Sequence, residues 1–345
     1  MTPSTPHPRI ALVGPNGAVG SEYLKLFAER CIRPEDLILI SHRNTGSSRV
    51  DYRGSKLEVQ GLDRDCFRNV DVAFFATDAQ TSRKWCPVAV EAGASAVDNS
   101  SAFRGEKSVP LVVPGVNSRS LENTPGPGII SVPNCTTIIT LMAIAPVHRE
   151  AGIIAMNLAT YQAVSGAGLA ALSELEAQAK AHVEGKAKPV EALPSQAFFN
   201  VFSHESGIDQ TGFNEEERKI REESRRILDA PQMRISATCM RVGIPRAHTV
   251  AISLDLSEEL DAREAAVLLR SAPGVRVVDD RDRNRFPEPI AASGKDEVLV
   301  GRFRNDPDRG QRSLMLVATG DQLRKGAALS GIELMELLGS RAEGR

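Results

Sequence analysis

The residues with chemistry to offer are few and lie far apart. Cys135 follows a Pro-Asn pair and precedes an apolar run, which puts a thiol at a helix start. There the unpaired backbone N–H groups and the helix dipole favour a thiolate and can stabilise an oxyanion beside it. Cys135 is therefore the best nucleophile candidate, with a small inert core residue as the alternative. Arg241 and His248 flank a strand end that turns at Gly243 and Pro245. A histidine there could act as general acid or base, and an ordinary surface histidine is the competing reading. Glu215-Glu-Glu-Arg-Lys219 offers carboxylates and an amine, yet its i,i+3 and i,i+4 pairs equally suit a solvated helix face.

A second kind of chemistry needs no side chain. Gly14-Pro-Asn-Gly17-Ala-Val-Gly20 spaces its glycines three apart, which lets the backbone approach a pyrophosphate at a helix N-terminus. A tight turn without a ligand is the alternative. The next strand ends Ile40-Ser-His-Arg43-Asn-Thr-Gly46, with no acidic residue to bond an adenosine ribose. Ser41, Asn44 and Thr45 beside Arg43 suit a 2′-phosphate, hence NADP over NAD, unless Arg43 is only a solvated surface residue.

Certain elements must position these groups. Ile10–Val13, Leu37–Ile40, Val70–Phe75 and Ser95–Asp98 read as strands, and helices follow the glycine turn and span Ser82–Ala92. That alternation predicts a Rossmann-type, doubly wound parallel sheet. After Gly126-Pro-Gly128 the texture changes. Ile129–Val132 reads as a strand, and an apolar helix over Ile138–Ala145 meets Pro146, which should kink or restart it. Strands are predicted near Ile153–Gln162, Arg234–Val242, Thr249–Leu256, Glu297–Arg304 and Ser313–Ala318, with helices over Leu169–His182, Glu215–Leu228 and Leu323–Leu338. With few crossover helices between these strands, a second α+β domain with a mixed, largely antiparallel sheet is expected.

Composition narrows the function. The 345 residues exceed what one core supports, so two domains are expected. With 42 basic against 44 acidic side chains, a formal charge of −2 and 4% aromatic residues, the chain lacks the basic footprint and stacking surfaces of a nucleic-acid binder. Its five cysteines are widely spaced, without a paired Cys motif or metal-ligand spacing, so neither a disulfide framework nor a metal site is expected. No apolar run suits a membrane span or signal peptide, which predicts a cytoplasmic protein.

In order along the chain, the glycine turn, Asn99-Ser-Ser-Ala-Phe-Arg104, Val112-Val-Pro-Gly-Val-Asn117, Pro133-Asn-Cys135, Thr160-Tyr-Gln-Ala-Val-Ser-Gly-Ala-Gly168, Cys239-Met-Arg241 with His248, and Leu323-Arg-Lys-Gly-Ala-Ala328 resemble the bacterial-type aspartate-semialdehyde dehydrogenases. The resemblance spans residues 9–338. It implies an NADP-binding domain over 9–134, completed by the helix at 323–340, a catalytic and dimerisation domain over 135–322, and a homodimer. It further implies that Cys135 is the acylated nucleophile, that His248 is the acid/base and that Gln162 orients the substrate. Arg241 would pair with the substrate's α-carboxylate and Glu216 with its ammonium, while Arg104, Asn134 and Lys219 hold phosphate. Backbone donors of Asn134 and Cys135 could stabilise the oxyanion. Cofactor contacts are implied for Gly14, Asn16, Gly17, Ala18, Val19, Gly20, Ser41, Arg43, Asn44, Thr45, Ser100, Ser165, Gly166 and Gln322.

The reaction implied is NADPH-dependent reduction of L-aspartyl-4-phosphate through a cysteine thioester. Two alternatives stand beside it. N-acetyl-glutamyl-phosphate reductase shares the chemistry but carries no free amine for Glu216, and a catalytically silent relative would be an interaction or regulatory protein. One departure bears on the cofactor: Ala76-Thr-Asp-Ala-Gln-Thr-Ser82 replaces the family's glycine-rich turn, and Asp78 near a pyrophosphate would repel it.

Overall fold

The run Ile10–Val13 forms β1, buried along its whole length, and the glycine turn delivers it into α1 (Ala18–Glu29). There follow β2 (Leu37–Ser41), β3 (Arg49–Tyr52), β4 (Ser55–Gly61), β5 (Val72–Phe75), α2 (Ala79–Glu91), β6 (Ser95–Asp98) and β7 (Ile129–Ser131). The middle of the chain carries α3 (Cys135–Ala151), β8 (Ile153–Ala163), α4 (Leu169–Val183), β9 (Val201–Ser203), α5 (Glu215–Ile227), β10 (Arg234–Val242) and β11 (His248–Leu256). Last come α6 (Ala262–Arg270), β12 (Val275–Val277), α7 (Pro289–Ala292), β13 (Val298–Asp306), β14 (Gly310–Gly320) and α8 (Leu329–Glu343). The computed structural model describes residues 8–41, 48–122 and 126–343. It divides into two units, residues 1–133 with 327–345, and residues 134–326.

In the first unit the sheet order is β3-β4-β2-β1-β5-β6-β7. All pairings are parallel except that of β3 with β4. The chain moves outward from β1 to β2 and then returns to β5 on the other side, so a topological switch lies between β1 and β5. Ligands of such sheets bind outside the strand ends at that point. Rings of Tyr23, Phe27 and Phe74 pack with centroids 4.8–5.6 Å apart beneath α1. α8 returns to this unit, and Gly331 permits its approach, since a Cβ there would lie 1.9 Å from the Tyr23 hydroxyl. The hairpin of β3 and β4 was not among the predicted strands. Both are largely exposed, and the turn at Arg53 and Gly54 takes positive φ at both residues, 48° and 81°.

The second unit orders its strands β12-β13-β14-β11-β8-β10-β9. β12 with β13 and β8 with β10 are parallel, while the other four pairings are antiparallel. One face is buried and α3 packs on that sheet and against α5 and α6. On the other face alternate residues such as Asn157, Tyr161 and Thr238 stay exposed.

Two predicted boundaries change. Thirteen of the 17 residues of α3 are buried, and the helix runs unbroken through Pro146. Burial worth about 1.5–3 kcal/mol per large apolar side chain outweighs the roughly 3 kcal/mol a mid-helix proline costs. The final helix begins at Leu329, not Leu323, because Arg324–Ala328 form a wide π-helical turn. Asp321 organises that turn: its Oδ1 accepts from the N–H groups of Leu323 and Arg324, and its carbonyl accepts from Gly326. α6 was also missed, although Asp261 and Glu264 form a complete capping box at its start. No helix among the described residues is long and apolar enough to cross a membrane, and no group of metal-ligating side chains occurs among them.

Candidate active site

In the first unit the glycine turn is built for close backbone approach. Gly14 has φ +89°, and a Cβ there would lie 2.4 Å from the carbonyl oxygen of Ala76 at the end of β5. A Cβ on Gly20 would lie 2.0 Å from the Gly14 carbonyl oxygen. Gly17 caps α1 with no side-chain bond, so the N-cap itself leaves the first-turn N–H groups around Ala18, Val19 and Gly20 unbonded. An uncapped helix start at the switch point fits a pyrophosphate. Asn16 lies in this turn and Ser41 ends β2. Arg43, Asn44 and Thr45 fall outside the described residues.

Asp78 acts locally as the N-cap of α2, accepting from the Thr81 N–H at 2.9 Å and the Thr81 hydroxyl at 3.0 Å. Ser100 gives its N–H and its hydroxyl to Asp98, at 3.0 and 2.9 Å. Burial raises the Asp98 carboxyl above its usual range, against the bonds from Ser82 and Ser100 and the charge of Arg104. Arg104 gives one Nη2 bond to the carbonyl of Asn99, 2.8 Å away, and Asn99 in turn accepts from Tyr23 at 2.7 Å. The segment that carries Ser100 and Arg104 is thus tied down at several points.

In the second unit Cys135 is the first residue of α3 and is partly exposed. The Asn134 Oδ1 caps the helix by accepting from Thr136 and Thr137, at 2.9 and 3.1 Å. Its Nδ2 donates to Glu216 Oε1 at 2.9 Å, and the same oxygen accepts from Thr136 and from Gln162, each at 3.3 Å. Glu216, buried on α5, keeps its second oxygen out of these bonds.

Strand register assembles the rest. β8 and β10 run parallel with Gln162 opposite Arg241, and β11, antiparallel to β8, starts at His248. Three residues distant in sequence thereby reach one end of one sheet. Ala163 joins two of them: its N–H donates to His248 Nδ1 at 3.0 Å, and its carbonyl accepts from Arg241 Nη1 at 2.7 Å. Gly166 makes the approach possible, since a Cβ would lie 3.1–3.2 Å from the His248 ring and Arg241 Nη1. Burial, then the charges of Arg241 and His204, holds His248 well below its usual range, so the ring is neutral near pH 7. With Nδ1 accepting, its proton sits on Nε2, which is buried without a protein partner.

Other predicted residues serve here in different ways. The Asn134 N–H is given to Glu223 Oε2 at 2.7 Å and is not free to stabilise an oxyanion. Lys219 pairs with Glu215 at 2.7 Å. Gln322 accepts from the Ala247 N–H at 2.8 Å and donates to Ser165, whose hydroxyl in turn reaches the Pro245 carbonyl. Ser165 and Gln322 therefore brace the turn leading into His248. The Arg241 guanidinium holds Glu205. Burial of Cys239 pushes its thiol up to about 12, and burial likewise raises Cys66 and Cys86. Cys31 is exposed.

Sequence reasoning missed Glu205, Glu223 and Gly326. Glu223 lies one heptad after Glu216, so both carboxylates lie on one face of α5. A Cβ on Gly326 would lie 2.9 Å from the Cys135 Cβ, so a side chain there would crowd Cys135.

The chain as a whole is similar to known proteins. Residues 9–124 match the family described as semialdehyde dehydrogenase, NAD binding domain, and residues 144–325 the semialdehyde dehydrogenase, dimerisation domain. The chain is 41% identical over 333 residues to an aspartate-semialdehyde dehydrogenase of Synechocystis sp., covering 96% of this chain and 98% of that one. It is 37% identical to the Aquifex aeolicus enzyme of that name, covering 96% and 97%. The crystal structure of aspartate semialdehyde dehydrogenase II from Vibrio cholerae, complexed with ASA, matches with a TM-score of 0.91 at 32% identity, covering 97% of this chain and 99% of that one. The chain belongs to the aspartate-semialdehyde dehydrogenase family.

Proposed function

We propose that the protein catalyses the NADPH-dependent reduction of L-aspartyl-4-phosphate to L-aspartate 4-semialdehyde and phosphate, in the cytoplasmic synthesis of lysine, threonine and methionine. The observation that carries this reading is Cys135, partly exposed at the start of α3, in the same unit as a sheet end that gathers Gln162, Arg241 and His248. The Cys135 thiolate attacks the acyl carbon. A C–S bond forms, the C–O bond to phosphate breaks, a thioester remains, and the departing phosphate takes one proton from solvent to leave as hydrogen phosphate.

The glycine turn with α1 is the part of the first unit suited to hold the pyrophosphate of NADPH, which when bound would supply the hydride that reduces the thioester. The hemithioacetal oxyanion on Cys135 then collapses to the aldehyde, restoring the thiolate. That collapse consumes no proton, so His248 need only hold its Nε2 proton and offer it as a hydrogen bond to the developing oxyanion. Arg241 takes the substrate's α-carboxylate and the open oxygen of Glu216 its ammonium, with Gln162 orienting the chain between them. Arg104 and Lys219 are each assigned to phosphate. Two copies pair through the exposed face of the second sheet, a reading supported by the dimerisation domain that residues 144–325 match.

The test is cofactor reduction by purified protein with aspartate semialdehyde and phosphate, offering NADP and NAD separately. Phosphate-dependent reduction of NADP is expected. No reduction of either cofactor by folded protein would overturn the reading.

A further inference from the structure

Arg241 is buried to 1% exposure, and four of the five N–H groups of its guanidinium already face protein groups. Nε donates to Glu205 Oε2 at 3.0 Å and Nη2 to Glu205 Oε1, a two-point grip. Nη1 donates to the Ala163 carbonyl at 2.7 Å, and Nη2 lies 2.9 Å from His204 Nε2. A guanidinium has five N–H donors, and a carboxylate held at two points needs a parallel pair of them. Neither parallel pair is open: Glu205 spans one, and the Ala163 carbonyl and the His204 ring stand against the other. A ligand carboxylate can be gripped only if one partner leaves. Ala163 is main chain inside β8, and its N–H also holds His248. His204 is 10% exposed, whereas the Glu205 side chain is 23% exposed and lies on the connection after β9. Glu205 is the partner that can go.

We propose that Glu205 is an internal competitor for the carboxylate subsite: the α-carboxylate of the incoming amino-acid aldehyde gains its grip on Arg241 by replacing Glu205, which swings toward solvent. The proposal rests on the reading of Arg241 as the carboxylate-binding residue. It makes Glu205 a determinant of specificity, because a ligand must outbid a carboxylate already in place. A ligand held at Arg241 alone only exchanges one carboxylate for another, whereas one that also engages Glu216 through an ammonium gains on binding. Before a ligand arrives, the same contact gives the buried guanidinium a counter-ion.

The test is Glu205→Gln in the full-length enzyme, with Glu205→Asp beside it to keep the charge but shorten the reach. The KM for aspartate semialdehyde should fall about tenfold in the Gln variant, the equivalent of one lost charge-assisted bond, and less in the Asp variant. The Kd measured by calorimetry in the Cys135→Ala background should fall in parallel. The ligand-free Gln variant should melt at a lower temperature than the parent and recover more on adding substrate. A KM and Kd that stay the same or rise would overturn the proposal, with a rise making Glu205 a positioning residue for Arg241. Arg241→Ala separates the two readings. If it leaves KM unchanged, the carboxylate assignment itself fails. If it raises KM while Glu205→Gln does not lower it, only the competitor fails.

Discussion

In the glycine turn the groups suited to a ligand are main-chain N–H donors at the start of α1, all within one short segment, 14–20, and the design consists of space left empty. Around Cys135 the opposite holds. Asn134, Gln162, Glu216, Arg241 and His248 come from separate elements, and each is held by another protein group before any ligand arrives. The first arrangement is vulnerable to added atoms, and the second to the loss of a partner. Space can be filled by one methyl group, whereas a braced side chain fails when the group behind it is removed.

The sharpest test of that contrast removes the thiol of Cys135, the proposed nucleophile. Cys135→Ala should lower kcat by about 10⁴-fold or more while leaving the Kd for NADPH unchanged. A parallel loss of cofactor binding, read by fluorescence titration, would show that the two regions are not independent. Glu223→Gln removes a buried anion that accepts from Asn134 and should destabilise the protein by about 1.5–3 kcal/mol in urea unfolding, with a drop in kcat. Unchanged stability would mean that this brace carries little.

Gly20→Ala attacks the other region. Its methyl would need the space of the Gly14 carbonyl, so the turn must shift, and the Kd for NADPH should rise by about tenfold or more. The rate at which iodoacetamide alkylates Cys135 should not move, and a changed rate would blur the distinction.

The smallest effect concerns pH. His248 is neutral in the fold with its pKa lowered, so below about 6.5 the unfolded chain binds a proton that the folded chain refuses. Stability therefore falls as pH falls through that value, by at most about 1.4 kcal/mol per pH unit for this group. His148 and His204 are lowered too, chiefly by burial, and add to the slope. In His248→Gln the loss of stability between pH 7 and pH 5 should shrink by one histidine's share. An unaltered slope would show that the ring is not held neutral.

Much of this was legible in the chain. The strand, glycine turn and helix of residues 10–29 declare themselves because hydrophobic run, glycine spacing and helical period are all local signals. Cys135 at a helix start was legible for the same reason. α6 carries a local signal too, its Asp261 and Glu264 capping box, but at nine residues it offers only a short helical period. The hairpin at 49–61 was harder, since exposed edge strands leave only a weak apolar alternation. Pro146 inside α3 could not be foreseen, because the packing that overrides a proline comes from elsewhere in the chain.

The amino-acid sequence by itself determined which residue types carry the chemistry, the order in which they occur, and the family to which their motifs belong. Tertiary structure alone decided what each of them touches. Strand register put Gln162 opposite Arg241 with His248 at the same sheet end, Ala163 set the tautomer of His248, and Glu205 took the grip of Arg241. Short-range signals record backbone preference and periodicity, whereas protonation and pairing depend on burial and on partners tens of residues away, which no local spacing encodes.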